Sequence, residues 1–137
     1  MISPAIHFSG NCAEAIAFYQ KAFNAKVKFI DYYRNAPPDS GIAVSEDSKD
    51  WVMHSELDIC GSSVNMSDSA EKLIPGNMFV LNVFFKSGDD VCKTFNVLKE
   101  GGEVVVDLGP QFFSPMYGSV KDRFCIHWQL ITIGDGN

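Results

Sequence analysis

The sequence predicts an α+β fold made of two βαβββ modules, and three observations carry that prediction. Predicted elements run strand, helix and three strands, and the same order then repeats. The halves share a faint identity: an offset of 77 residues places Phe8 on Phe85, Ala15 on Cys92, Phe18 on Phe95 and Val27 on Val104. An offset of 76 fits the two helices better, which leaves the register open by one residue. Each helix also has a one-sided apolar stripe, so each half has a face to bury.

Pro4 to Phe8 reads as a short strand, and Ser9-Gly10-Asn11 as a turn with Asn11 placed to cap the following helix. That helix shows Cys12, Ala15, Ile16, Tyr19, Ala22 and Phe23 on one side and stops at Asn24-Ala25. Lys26 to Tyr33 alternates Val27 and Phe29 with polar neighbours, as a strand does. Arg34 to Asp50, with Pro37-Pro38 and Gly41, has no pattern and reads as a surface loop or a flap over a ligand mouth. Trp51 to Ile59 and Ser62 to Asp68 are strands joined at Cys60-Gly61.

Residues 70–77 link the modules, which span 1–69 and 78–137 of one domain. Met78 to Phe85 is a near-continuous apolar run, expected of a strand buried on both faces. Ser87-Gly88-Asp89 starts the second helix, with Val91, Cys92, Phe95 and Leu98 on its stripe, and Gly101-Gly102 stops it. Glu103 to Leu108, Phe113 to Lys121 and Ile126 to Thr132 complete the second set of strands.

With 137 residues the chain can bury a real core. Its net charge of −6 opposes binding to phosphate backbones, and no basic cluster exceeds two residues, so neither nucleic acid nor an anionic membrane is an expected partner. No apolar run approaches the roughly twenty residues that span a bilayer. The four cysteines form no CxxC pair, and the first residues lack the regions of a signal peptide. Reduced thiols and a cytoplasmic location are expected. The chain has no GxGxxG, GxxxxGK[ST] or GxSxG motif.

Three groups of residues, in order, resemble the vicinal oxygen chelate superfamily, which includes glyoxalase I, extradiol dioxygenases and the bleomycin-resistance proteins. They are Phe8-Ser9-Gly10-Asn11-Cys12 with Glu14-Ala15-Ile16 and Phe18-Tyr19; Val52-Met53-His54 with Glu56-Leu57 and Ser67-Asp68; and Tyr117-Gly118 with Asp122-Arg123-Phe124 and Trp128. The PhnB-like branch is the nearest in pattern, and some of its members carry a demethylubiquinone methyltransferase label. The resemblance implies a glyoxalase/bleomycin-resistance-like fold whose two modules form a cupped mixed sheet around a small-molecule pocket. The methyltransferase label is not carried over, because the chain lacks the glycine-rich α/β architecture that S-adenosylmethionine enzymes use.

Catalytic members of the superfamily hold a divalent metal through His and Glu. By resemblance the first ligand position falls on Pro4 and the last on Gln129. The match of Asp58–Met66 to Asp122–Leu130 then pairs Gln129 with Asn65, and the fourth position falls in Val80 to Asn82. None offers His, Glu, Asp or Cys, so no metal and no other cofactor is expected.

His54, Glu56 and Asp58 share one strand face, but the ends of that run stand about 13 Å apart, too far for one ion. His7 is expected to face the helix as a core histidine, with Ile6 and Phe8 facing the cup. His127 shares a face with Gln129 and Cys125 and is the candidate general base. Cys125 stands where the branch usually has Gly. Phe112 to Tyr117 make an aromatic cluster suited to a pocket wall or a core.

The reading is a small-molecule-binding homodimer, metal-free, with Phe8, Asn65, Phe113, His127 and Gln129 contacting the ligand. Two alternatives stay open: a glyoxalase- or dioxygenase-type metalloenzyme with a displaced metal site, and a metal-independent lyase or isomerase using His127.

Overall fold

The computed structural model describes residues 1–133, so the last four residues expected in the second module lie outside the described residues. Chain contacts divide it into two units, Met1–Leu73 and Ile74–Asn137. Among the described residues each unit holds one α-helix and one four-stranded mixed sheet, the predicted α+β architecture, and the first adds a 3-10 turn at Tyr33–Asn35.

The first unit runs β1 (Ala5–Phe8), α1 (Cys12–Phe23), β2 (Lys26–Tyr32), β3 (Val52–Ile59) and β4 (Ser62–Asp68). Its sheet order is β1-β4-β3-β2, with β1 parallel to β4 and the other neighbours antiparallel. Helix α1 buries Ala15, Ile16, Tyr19, Ala22 and Phe23, and the sheet face beneath it buries Phe8, Leu57, Val64 and Met66. Each such large side chain contributes roughly 1.5–3 kcal/mol relative to exposure. Asn24 ends the helix in the left-handed region, as its short polar side chain allows.

The N-terminus of α1 is capped by a residue that local spacing does not predict. Asn11 makes no side-chain cap; its Oδ1 accepts from the Ser9 amide instead. The cap comes from Asp68, at the far end of β4 and 3% exposed. Its Oδ1 accepts from the Gly10 and Cys12 amides at 2.8 and 2.9 Å, and its Oδ2 accepts from the Val52 amide at 2.9 Å. Tyr33 donates its hydroxyl to the Asp68 carbonyl. One carboxylate therefore ties the β1–α1 turn, the start of β3 and the end of β4 together. The Trp51 ring closes the arrangement against Gly10, where a Cβ would stand 2.9 Å from it.

The second unit runs β5 (Leu81–Phe85), α2 (Gly88–Leu98), β6 (Glu103–Gln111), β7 (Ser114–Lys121) and β8 (His127–Thr132), in sheet order β5-β8-β7-β6. The repeat is now resolved. Phe8 lies opposite Asp68 and Phe85 opposite Thr132, and the Ser69 and Ile133 amides donate to Phe8 and Phe85 in matching bonds. The first strands are thus offset by 77. The helices are offset by 76, because Ser9-Gly10-Asn11 precedes α1 and only Lys86-Ser87 precedes α2. Both registers read from the sequence hold, each for its own element. Ser87 caps α2 through the Asp89 amide, with Asp89 and Asp90 in the first turn. Gly118 lets α2 sit down on the sheet, since a Cβ there would meet the Phe95 ring at 2.7 Å.

Asp122, 2% exposed, holds the β7–β8 turn. Its Oδ1 accepts from the Phe124 and Ile126 amides, and its Oδ2 from Trp128 Nε1 at 2.8 Å.

Several boundaries differ from expectation. The apolar run Met78 to Phe85 yields only Leu81–Phe85 as strand, at a sheet edge rather than buried on both faces. Met78, Phe79 and Phe84 are exposed. Strand β6 continues through Pro110 to Gln111, which an irregular edge strand tolerates, so Phe113 lies in the hairpin turn. A bulge at Lys28 brings Phe29 rather than Lys28 opposite Glu56, so Val27 and Phe29 do not share a face.

Replacing Asp68 by Ala leaves three amides without their acceptor and is expected to cost about 3 kcal/mol or more in urea unfolding. Asp68→Asn, which keeps one oxygen, is expected to cost less.

Candidate functional site

In each sheet one face lies under the helix and the other, here called the open face, is more exposed, although Ser119 and Tyr117 on that face of the second sheet are buried. On the open face the two units present equivalent rows. In the first, Ala5, Asn65, Glu56 and Phe29 lie side by side across the four strands. In the second, Asn82, Gln129, Ser119 and Val106 do. Asn65 and Gln129 therefore occupy one position in two copies, as their sequence match predicts, and both amides are half-buried.

The next row differs between the units. His7 and Ser67 pair in the first, with His7 Nδ1 3.3 Å from Ser67 Oγ. Phe84, Ile131, Tyr117 and Gly109 make it in the second.

Two expectations are corrected. His7 is exposed on the open face, not under the helix. Phe8 is 3% exposed in the core beneath α1, so it is a packing residue rather than a ligand contact. Period-two alternation was right for β1, but the face assigned to each residue was inverted.

His127 opens β8 opposite Lys121 and shares the open face with Gln129. Cys125 does not share it, because it lies in the preceding turn at φ 69°, the conformation that favours Gly. Phe113 stands in the β6–β7 turn with its ring against Tyr117.

The polar residues of β3 have separate tasks. His54 packs edge-on to Phe29, Glu56 pairs with Lys28 at 3.2 Å, and Asp58 accepts from the Gly61 amide in the hairpin turn. The long loop is pinned at its base by Tyr33 and Arg34 amides donating to the Trp51 and Lys49 carbonyls, and by an Arg34–Asp50 ion pair.

The donor set does not fit the superfamily's metal. Asn65 and Gln129 offer neutral amides, which are weak ligands for first-row ions. Pro4 has no side-chain donor, and its carbonyl already accepts from the Asn65 amide. Among the described residues no group of three or more His, Cys, Asp or Glu is placed to hold an ion.

Cys12, fully buried at the start of α1, has its thiol pushed up to about 12, first by burial and second by the Asp68 carboxylate. It is a packing residue, not a nucleophile.

The sequence model of a family described as 3-demethylubiquinone-9 3-methyltransferase matches residues 1–131. The chain belongs to this family, the PhnB-like branch of the vicinal oxygen chelate superfamily. This PhnB-like protein is 26% identical to Protein YjdN of Escherichia coli K12, over 96% of this chain and 95% of that one. Among solved structures, protein PA1353 of Pseudomonas aeruginosa aligns at a TM-score of 0.85 and 27% identity, covering 98% of both chains. A putative 3-demethylubiquinone-9 3-methyltransferase, PhnB protein, of Bacillus cereus aligns at 0.79 and 22%, over 96% of this chain and 98% of that one. The fold alone is shared with a fosfomycin resistance protein, FosX of Listeria monocytogenes, solved with Mn(II) and dihydroxypropylphosphonic acid (TM-score 0.66, 13% identity, 96% of this chain and 90% of that one). No helix among the described residues is long and apolar enough to cross a membrane.

The raised Cys12 thiol has a consequence for stability. Folding keeps it protonated where the unfolded chain, near 9.0, does not. Its contribution is complete below pH 9 and is lost as pH rises toward 12. Chemical unfolding across that window is expected to show a falling stability whose slope flattens in Cys12→Ala. A thiol reagent at pH 8 is expected to label exposed Cys60 and leave Cys12 unmodified until the chain unfolds.

Proposed function

We propose that this PhnB-like protein binds a small molecule on an open sheet face, without a metal in the superfamily's positions, and works as a cytoplasmic homodimer. The observation that carries the reading is the equivalence of Asn65 and Gln129. Each is a half-buried amide in the same register position of its sheet. An amide offers both a donor and an acceptor, so it orients a neutral or polar ligand where a carboxylate would hold an ion. Phe113 and His127, on the second unit, would contribute an aromatic face and a hydrogen-bonding ring.

FosX, solved with a small organic acid and a metal, supplies a precedent only for the fold, since it is 13% identical. The methyl-transfer reaction in the family's description has no comparable support. A glycine-bearing turn into a helix is present after β1, but Asp68 already occupies its amides. The dimer reading is supported by Ile74, Met78 and Phe79, each more than 80% exposed, since apolar surface of this kind is commonly buried between protomers. The cytoplasmic reading is supported by four free cysteines.

A thermal-shift screen of small metabolites, with and without divalent metals, tests the reading. A true ligand at 100 times its Kd is expected to add about 2.7 kcal/mol of stability. Gln129→Leu is expected to weaken it about tenfold without unfolding the chain. Stoichiometric zinc, nickel, manganese or iron in protein purified without chelator or added metal would contradict it.

A further inference from the structure

The hairpin joining β6 to β7 turns on Phe112 and Phe113, positions where turns ordinarily carry Gly, Asn or Asp. Phe112 is 100% exposed and Phe113 51%. Their rings are nonetheless in contact with one another and, through Phe113, with the sheet. Phe112 meets Phe113 edge to face at 5.1 Å and 82°, and Phe113 meets Tyr117 in the same manner at 5.1 Å and 78°. Tyr117 is buried, so the exposed pair is anchored by a ring that belongs to the sheet. Two perpendicular rings form a corner open to solvent.

Beside this corner, Tyr117 has Gly109 as its neighbour on β6. Gly109 is not in the left-handed region, and a Cβ built there meets nothing within 4 Å. Gly109 lies between two irregularities in the β6 register, where strand glycines are common, and no packing contact would exclude a side chain there. Its effect is to leave space next to Tyr117.

We propose that Phe112, Phe113 and Tyr117, with the space over Gly109, form a stacking site for a planar aromatic ring system. The proposal rests on the preceding reading and narrows it: the small molecule is a flat aromatic compound rather than a sugar, an amino acid or a phosphate ester. Aromatic rings gain from offset or edge-to-face contact at centroid separations of about 4.5–7 Å, which a saturated ligand cannot match. Tyr117, already buried, loses little freedom when a guest arrives. The net charge of −6 disfavours anionic guests and favours neutral or cationic ones.

The probe is 9-aminoacridine, a planar aromatic cation, titrated into the full chain and followed by its fluorescence. Saturable binding is expected. Phe113→Ala and Gly109→Val should each weaken it about tenfold, the second because valine fills the space while favouring the strand. Phe113→Tyr should keep it, and tetramethylammonium should not displace the dye. Melting temperatures of the variants confirm that each is folded. Absent binding, affinity unchanged in both weakening variants, or displacement by tetramethylammonium would overturn the proposal. A change of mass in solution on Phe113→Ala with dye affinity intact would overturn it too, and would mark the tip as a protein contact. A screened metabolite that needs Gln129 but is indifferent to Phe113 and Gly109 would sink this inference and leave the broader reading standing.

Discussion

Most of the first unit is organised around one carboxylate. Asp68 ends the strand that pairs in parallel with β1, yet its oxygens reach the start of α1 and the start of β3. A βαβββ unit must bring its last strand back beside its first, and the bond from β4 to the helix N-terminus fixes that return. Burial makes the arrangement demanding, because an acceptor withdrawn from water must be satisfied within the protein. Here each oxygen has an amide partner, and the N-terminal amides of α1 gain a negative charge where the helix dipole favours one. The second unit solves a related problem differently. Thr132 takes the place of Asp68, Ser87 caps α2 locally, and the buried carboxylate moves to Asp122 in the β7–β8 turn.

The architecture was legible in the sequence because it depends on periodicity. The stripes of Ala15, Tyr19 and Ala22, and of Val91, Phe95 and Leu98, are visible without coordinates and lie under their sheets as expected. Even the one-residue ambiguity in the repeat had a physical cause, a turn shortened by a residue. What was not legible depended on contacts between distant positions. Asp68 and Asp122 stood within quoted motifs, but nothing in their spacing assigns one carboxylate to three separate donors. The inverted faces of His7 and Phe8 follow from the same limit. Alternation gives two faces but does not say which one a helix covers. Phe29 was misplaced because a bulge breaks alternation with no signal in Val27-Lys28-Phe29 itself.

Of the expected ligand contacts, Asn65, His127 and Gln129 lie on open faces and Phe113 stands at a turn tip, while Phe8 belongs to the core. The two open faces have diverged in character. The first presents His7, Ser67, His54 and Glu56, partly engaged with one another and with Lys28. The second presents Phe84, Ile131 and Tyr117 in the corresponding rows. The position they keep in common is the amide of Asn65 and Gln129. An amide at the shared position is the feature on which the proposed recognition of a neutral or polar organic ligand, rather than an ion, rests.

The most direct test of that claim is calorimetric titration of the strongest small-molecule binder into the protein before and after exhaustive chelation. The same Kd is expected in both samples, with no added affinity when zinc, nickel or manganese is restored. Binding that disappears with the chelator and returns with one of those ions would contradict it.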